Sequence, residues 1–255
     1  MSGMVQSETV VIGGSGRVGA GVVAALLEAQ LPVLAVGRDA ARLEALRTRH
    51  GDSPLLDTLQ ASVADDVRAQ ALAAALAQRA RPLGAVVASL GSPRTPGRVL
   101  DRPVAALRRR LERDLLPHLA AARHLMPLLA EADRGGRYLL VGNPCALRAW
   151  SALGDVSVAA AATRMLAQVL HEEAKPLGVR LHLLSVEQPV CTTSQDACPE
   201  WIRAVDVGRA AVSLLTGTGQ PGQAIVTVSR PSASAPSAGR LAGLQFPLTT
   251  REISP

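Results

Sequence analysis

Three groups of residues have the types and spacing to do chemistry. The first is the run Gly13-Gly14-Ser15-Gly16-Arg17-Val18-Gly19, set between the apolar stretch Thr9 to Ile12 and a second apolar stretch from Ala20 to Leu27. In a strand-turn-helix, glycines let the backbone close on a phosphate, and the helix N-terminus favours negative charge. One glycine permits the tight turn, another admits the pyrophosphate, and a third lets helix and strand pack closely. Gly13, Ser15, Gly16, Arg17 and Gly19 are therefore expected to bind a dinucleotide. The second group follows the next apolar run, in Val36-Gly37-Arg38-Asp39. An acid at the strand end would hold the ribose of NAD, but Arg38 stands there and can pair with the 2′-phosphate of NADP, with Arg17 as a second cation. NADP is expected over NAD; Asp39, one position late, is the alternative ribose ligand. The third group is Asn143 and Asp155, whose placement comes from the register given below. An amide can donate to a developing oxyanion and a carboxyl can serve as an acid. Their alternative roles are local: Asp155 at a helix N-terminus and Asn143 on a loop backbone.

Other reactive side chains are scarce. Tyr138 is the only tyrosine, inside an apolar run, and Lys175 is the only lysine. No histidine near Cys145 in sequence would activate it to thiolate, and His171 lies several turns into its helix. The three cysteines, Cys145, Cys191 and Cys198, have no metal-ligand spacing and read as free thiols. No metal is expected.

The elements that must carry these groups alternate in kind. Strand-like runs fall at Thr9 to Ile12, Pro32 to Val36, Leu55 to Leu59, Ala85 to Leu90, Tyr138 to Val141, Arg180 to Val186 and Ala224 to Val228. Helices are expected at Val18 to Ala29, Ala40 to Thr48, Ala64 to Arg79, Pro103 to Glu131, Ser157 to Ala174 and Val205 to Thr216. Runs such as Gly84-Ala85-Val86-Val87-Ala88 suit strands covered on both faces, and the alternation implies right-handed parallel crossovers. The expected fold is α/β, a doubly wound, mostly parallel sheet of seven strands over residues 1–230. Residues 231–255, rich in Ser, Pro, Ala and Gly, form an irregular tail.

The order of segments resembles the short-chain dehydrogenase/reductase family over about residues 8–229, which implies a Rossmann-type fold and NADP binding. Leu59-Gln60-Ala61-Ser62-Val63-Ala64-Asp65 is similar to the family's adenine-binding stretch, with Ser62 where aspartate is usual. Val87-Ala88-Ser89-Leu90-Gly91 falls where the family has Asn-Asn-Ala-Gly, so Ser89 and Gly91 would border the cofactor. Leu125-Met126-Pro127 sets the register that puts Asp114 at the family's structural asparagine. Leu166, Leu170 and Glu173 set the register of the active-site helix, and this puts Val156 at the catalytic tyrosine, Ala160 at the lysine and Asn143 at the serine. No Tyr-x-x-x-Lys pair exists elsewhere in the chain. Loss of a positioned acid removes roughly 10²- to 10⁴-fold in rate. The glycine spacing looks more like the extended and atypical branches. The Pro-Gly after the sixth strand is absent, with Thr192 left to meet the nicotinamide carboxamide.

Composition narrows the partners. The chain has 255 residues, 48% hydrophobic content and a formal charge of +6, with aromatics at 2%. The basic residues are mostly scattered arginines, and stacking platforms for single strands are few, so no nucleic-acid partner is expected. The densest group, Arg108, Arg109, Arg110 and Arg113, alternates with Leu107, Leu111 and Leu115 and reads as the solvated face of an amphipathic helix. No run reaches the roughly 18 to 20 apolar residues of a bilayer span, and no secretory signal is evident, so a cytoplasmic protein with no membrane partner is expected. A homo-oligomer built on the stripe Leu107, Leu111, Leu115 and Leu119 or on the Ser157 to Ala174 helix is expected. Three functions stay open: an NADP-binding protein with a sensing or non-redox role on a small-molecule substrate or regulatory ligand, a reductase with an unusual proton donor, and a structural subunit of an active homologue.

Overall fold

The computed structural model describes residues 6–51, 53–132, 135–192, 201–217 and 222–229. The expected tail, with Phe246, and Cys198 lie outside the described residues. The strands are β1 (Glu8–Ile12), β2 (Val33–Gly37), β3 (Leu56–Gln60), β4 (Leu83–Ala88), β5 (Arg137–Val141), β6 (Arg180–Val186), β7 (Val190–Cys191), β8 (Ile202–Arg203) and β9 (Ile225–Val228). The helices are α1 (Arg17–Glu28), α2 (Ala40–Arg49), α3 (Asp66–Ala77), α4 (Val104–Asp114), α5 (Leu116–Ala130), α6 (Gly154–Ala174) and α7 (Ala204–Leu215).

Seven strands form one sheet in the order β3-β2-β1-β4-β5-β6-β9, and every neighbouring pair is parallel. β1 and β2 are buried at every residue, whereas edge strand β3 mixes polar and apolar positions. The sequence differs for that reason: central strands are continuous apolar runs and the edge is not. Alternate strand residues feed two cores. Val10, Leu34 and Val86 pack with Leu72 of α3, Leu125 of α5 and Leu170 of α6. Val11, Ala35 and Val87 pack with Val22 of α1, Leu43 of α2 and Val207 of α7. The crossover direction reverses between β1 and β4, which opens a crevice at the carboxyl ends of the strands where ligands of doubly wound folds bind.

Three expectations about the helices need correction. The continuous helix from Pro103 to Glu131 is two helices broken at Leu115, whose φ of −110° and ψ of −58° depart from helical values. Pro117 explains the break: it has no N–H to give, and its ring clashes with the carbonyl of Arg113 four residues back. The arginine cluster is not wholly solvated either. Arg110 is buried at 8% exposure and faces inward, while Arg108 and Arg109 are exposed. Helix α6 also begins at Gly154 and not at Ser157, so Asp155 and Val156 lie inside its first turn.

Candidate functional site

The crevice holds two cavities that share the turn Leu90-Gly91-Ser92. The wider one, of about 420 Å³, runs from the β1–α1 turn to the end of β2. Of the expected cofactor residues, Gly13, Ser15, Gly16, Arg38, Ser62, Ser89 and Gly91 line it. Gly13 has a φ of +78°, and a Cβ there would lie 2.2 Å from the Ser89 carbonyl oxygen, so turn and strand end meet only at a glycine. Gly19 does not line the cavity. It lets α1 approach the turn, since its Cβ would fall 2.1 Å from the Gly13 carbonyl oxygen. The N-cap of α1, Gly16, provides no side-chain cap, and no acidic residue stands in the first turn. That helix end is left open to an anion.

The cations around the wide cavity differ in part from expectation. Arg38, Arg42 and Arg113 line it, and Arg17 is exposed outside the lining. Asp39 accepts from the Arg42 backbone N–H at 3.2 Å as the N-cap of α2, and its carboxylate lies 3.5 Å from Arg42 Nε. Its local roles thus compete with a ribose contact. Arg42 was legible in the sequence as the residue one helical turn after Arg38. Gln60 Nε2 donates to the Arg38 carbonyl at 3.1 Å and steadies the β2 end from the neighbouring strand.

The inner cavity, of about 50 Å³, lies beyond Leu90 among β5, β6, α5 and α6. Val156 and Ala160 form its apolar wall and Asn143 reaches it, so the register read from the sequence brings these three positions together. Asn143 Oδ1 accepts from the Cys145 N–H at 3.0 Å, as the cap of a short 3-10 turn, and from Arg94 Nη2 at 3.5 Å. Asp155 does not line the cavity. Its Oδ2 accepts from Arg110 Nε at 3.1 Å and Arg102 Nη1 at 3.4 Å, and the residue is 4% exposed. Arg110 also donates to Asp114 Oδ2 at 3.1 Å and to the Pro93 carbonyl at 3.2 Å, and Arg102 donates to the Thr95 and Pro96 carbonyls, each at 2.8 Å. This network ties residues 92–102 to the first turn of α6, and its two arginines and two aspartates balance in charge.

Four polar residues of the inner cavity were not foreseen there. His118, Thr163, Arg164 and Ser185 join Asp114 in the lining. Burial lowers the His118 pKa to about 4, partly opposed by the nearby Asp114 carboxylate, so the ring is neutral at neutral pH. Its Nδ1 and Asp114 Oδ1 have no hydrogen-bond partner among the described residues. The signal was spacing: Arg110, Asp114 and His118 recur every four residues, as do Val156, Ala160 and Arg164. The remaining reactive groups are withdrawn. Tyr138 is fully buried in β5 and burial raises its pKa, burial likewise raises that of Cys145, and exposed Thr192 lines neither cavity. No cluster of three or more potential metal ligands occurs among the described residues, and no described helix is long and apolar enough to cross a membrane.

Comparison with known proteins places this architecture. A short-chain dehydrogenase from Mycobacterium smegmatis superposes with a TM-score of 0.76 at 19% identity, covering 90% of this chain and 95% of that one. The NADPH-bound structure of a short chain oxidoreductase from Pseudomonas aeruginosa PAO1, described as containing an atypical catalytic center, superposes with a TM-score of 0.76 at 21% identity, covering 90% and 98%. A short chain dehydrogenase from Burkholderia cenocepacia J2315 in complex with NADP superposes with a TM-score of 0.70 at 22% identity, covering 89% and 90%. No protein of curated function matches the sequence. The family model for short chain dehydrogenases matches residues 8–196, most of the chain, and together with the all-parallel sheet and its glycine turn this makes the protein a member of the short-chain dehydrogenase family.

Proposed function

We propose that this protein binds NADP(H) and uses it in a sensing or non-redox role instead of tyrosine-dependent carbonyl reduction. The observation that carries the reading is the contrast between the two cavities. The wide one fits the adenosine and phosphates: an uncapped helix end for the pyrophosphate, and Arg38 with Arg42 for the 2′-phosphate. NADP-bound relatives of the same fold support that choice. The cofactor supplies a hydride when bound, and the residues here do not match that supply in the family's way. Val156 and Ala160 cannot move a proton, and Asp155 is committed to two guanidiniums. At about 50 Å³, the inner cavity is also far below the 300 Å³ or so of a site for a drug-sized ligand, and takes only a small fragment.

A second reading keeps hydride transfer with an unusual donor, and one observation favours it: His118, a neutral imidazole with an unpartnered Nδ1, borders the inner cavity. A neutral imidazole can polarise a carbonyl by donating a hydrogen bond. The two readings part on turnover. With NADPH and a panel of ketones and aldehydes, the first predicts only residual cofactor oxidation, and the combined variant Val156→Tyr/Ala160→Lys raises it where either change alone does not. Robust wild-type turnover abolished by His118→Gln, with folding retained, would replace the first reading by the second.

A further inference from the structure

We infer that the inner cavity binds the head group of a small hydroxycarboxylate, with Arg164 holding the carboxylate and the Asp114–His118 side receiving the hydroxyl. The inference deepens the reading above, resting on it only for the neighbouring cofactor site. It begins with an uncompensated charge. Arg164 lies on α6, half-buried, and its one hydrogen-bond partner among the described residues is Ser185 Oγ at 3.2 Å. No described carboxylate pairs with it, since Asp114 and Asp155 are balanced by Arg110 and Arg102. A cation withdrawn from water without a counter-ion favours an anionic ligand.

Helix geometry aims this charge. Long side chains on an α-helix lean toward its N-terminus. Arg164 stands one turn after Ala160 on the same face, and its guanidinium reaches Ser185 of β6 at the cavity. All three residues line the cavity.

The opposite side of the cavity has a different need. His118 is 1% exposed with an unpartnered Nδ1, and the unpartnered Asp114 Oδ1 can only accept from the ligand while the residue is ionised. Buried polar atoms without partners are costly, so this side calls for a hydroxyl or a water. One side thus asks for an anion and the other for a donor. At roughly 10 to 15 Å³ per water, the volume holds about three to five water-sized groups, which suits a carboxylate and its adjoining hydroxyl. Val156, Ala160 and Leu183 supply apolar contact for the carbon between them.

The test is calorimetric titration of the full chain, with NADPH present, using glycolate, acetate and ethylene glycol as probes. Glycolate is expected to bind saturably, acetate more weakly and ethylene glycol not measurably. Arg164→Ala should weaken glycolate about 10- to 150-fold, the span of one charge-assisted hydrogen bond, and Arg164→Lys should retain part of the binding. Folding of each variant is checked by circular dichroism, and NADPH affinity is measured separately. That affinity should be unchanged in Arg164→Ala; a loss confined to NADPH would assign Arg164 to a cofactor phosphate and overturn the inference. Equal glycolate affinity in wild type and Arg164→Ala, equal binding of ethylene glycol, or no saturable glycolate binding would also overturn it. Failure of the wild type to bind NADPH sinks the cofactor reading instead, and glycolate titration of the protein alone still decides this one.

Discussion

Replacing Asp155 by Asn removes one negative charge from a buried network and keeps the side-chain shape. Arg110 and Asp155 have side chains only 9% and 6% exposed, and Arg102, at 23%, is mostly covered. Removing one partner of a buried ion pair costs about 3 to 5 kcal/mol, because the remaining charge is stranded. Arg110 keeps Asp114 and Arg102 is partly solvated, so the lower end, about 3 kcal/mol, is the expected loss. For a chain of this size each kcal/mol lowers Tm by roughly 2 to 4 °C, which gives a drop of about 6 to 12 °C. Thermal unfolding followed by far-UV circular dichroism at neutral pH measures it. The same variant should loosen residues 92–102 while leaving NADPH affinity within about twofold, a change of only about 0.4 kcal/mol. A Tm unchanged within about 2 °C, well under the shift worked above, would refute the ion-pair account. If turnover were also abolished, Asp155 would be an acid and not a positioning residue.

Other consequences follow from the same structure. Burial depresses the His118 pKa to about 4, below its unfolded value near 6.5, so the unfolded chain takes up the extra proton as pH falls. The stability present above about pH 6.5 should therefore decline toward pH 4, by up to about 3 kcal/mol, and His118→Gln should flatten that part of a urea-unfolding pH profile. An unaltered profile would show that the ring is not held neutral. A homo-oligomer is proposed on α6, because Leu107, Leu111 and Leu115 are already partly buried within the monomer and Leu119 alone of that stripe is exposed, whereas Val158, Met165 and Val169 leave an exposed apolar face at helical spacing. Met165→Glu should convert the wild-type oligomer to monomer by light scattering; a monomeric wild type, or an oligomer indifferent to the change, would contradict this.

Much of the architecture was legible because its causes are local. Central strands must be apolar on both faces, so β2 and β4 read as continuous runs, and the glycine turn is fixed by the approach of Gly13 to Ser89. The split between α4 and α5 was also written locally, in Pro117, but the strong leucine periodicity on both sides masked it. Of the inner cavity, the family resemblance had singled out Asp114, Asn143, Val156 and Ala160, and all four border it, while His118 and Arg164 were marked only by a four-residue spacing. Arg110 looked like one of several surface arginines, and its burial depends on Asp114 and Asp155, the second of these 45 residues away. His118 and Arg164 carry no motif, and their meaning comes from two helices facing one small space. Thr192 was placed by analogy with a Pro-Gly segment this chain lacks, and it stands apart from both cavities.

The central claim is that the adenosine half of an NADP site is intact on a framework whose usual proton-transfer residues are gone. The most direct measurement is calorimetric titration of NADPH and NADH into the wild type and Arg38→Ala. NADPH should bind the wild type more tightly than NADH, and Arg38→Ala should cost NADPH about 1.5 to 3 kcal/mol, roughly 10- to 150-fold, while leaving NADH nearly unchanged. Equal affinity of the wild type for the two cofactors, or an Arg38→Ala variant that holds NADPH as tightly as the parent, would contradict the account.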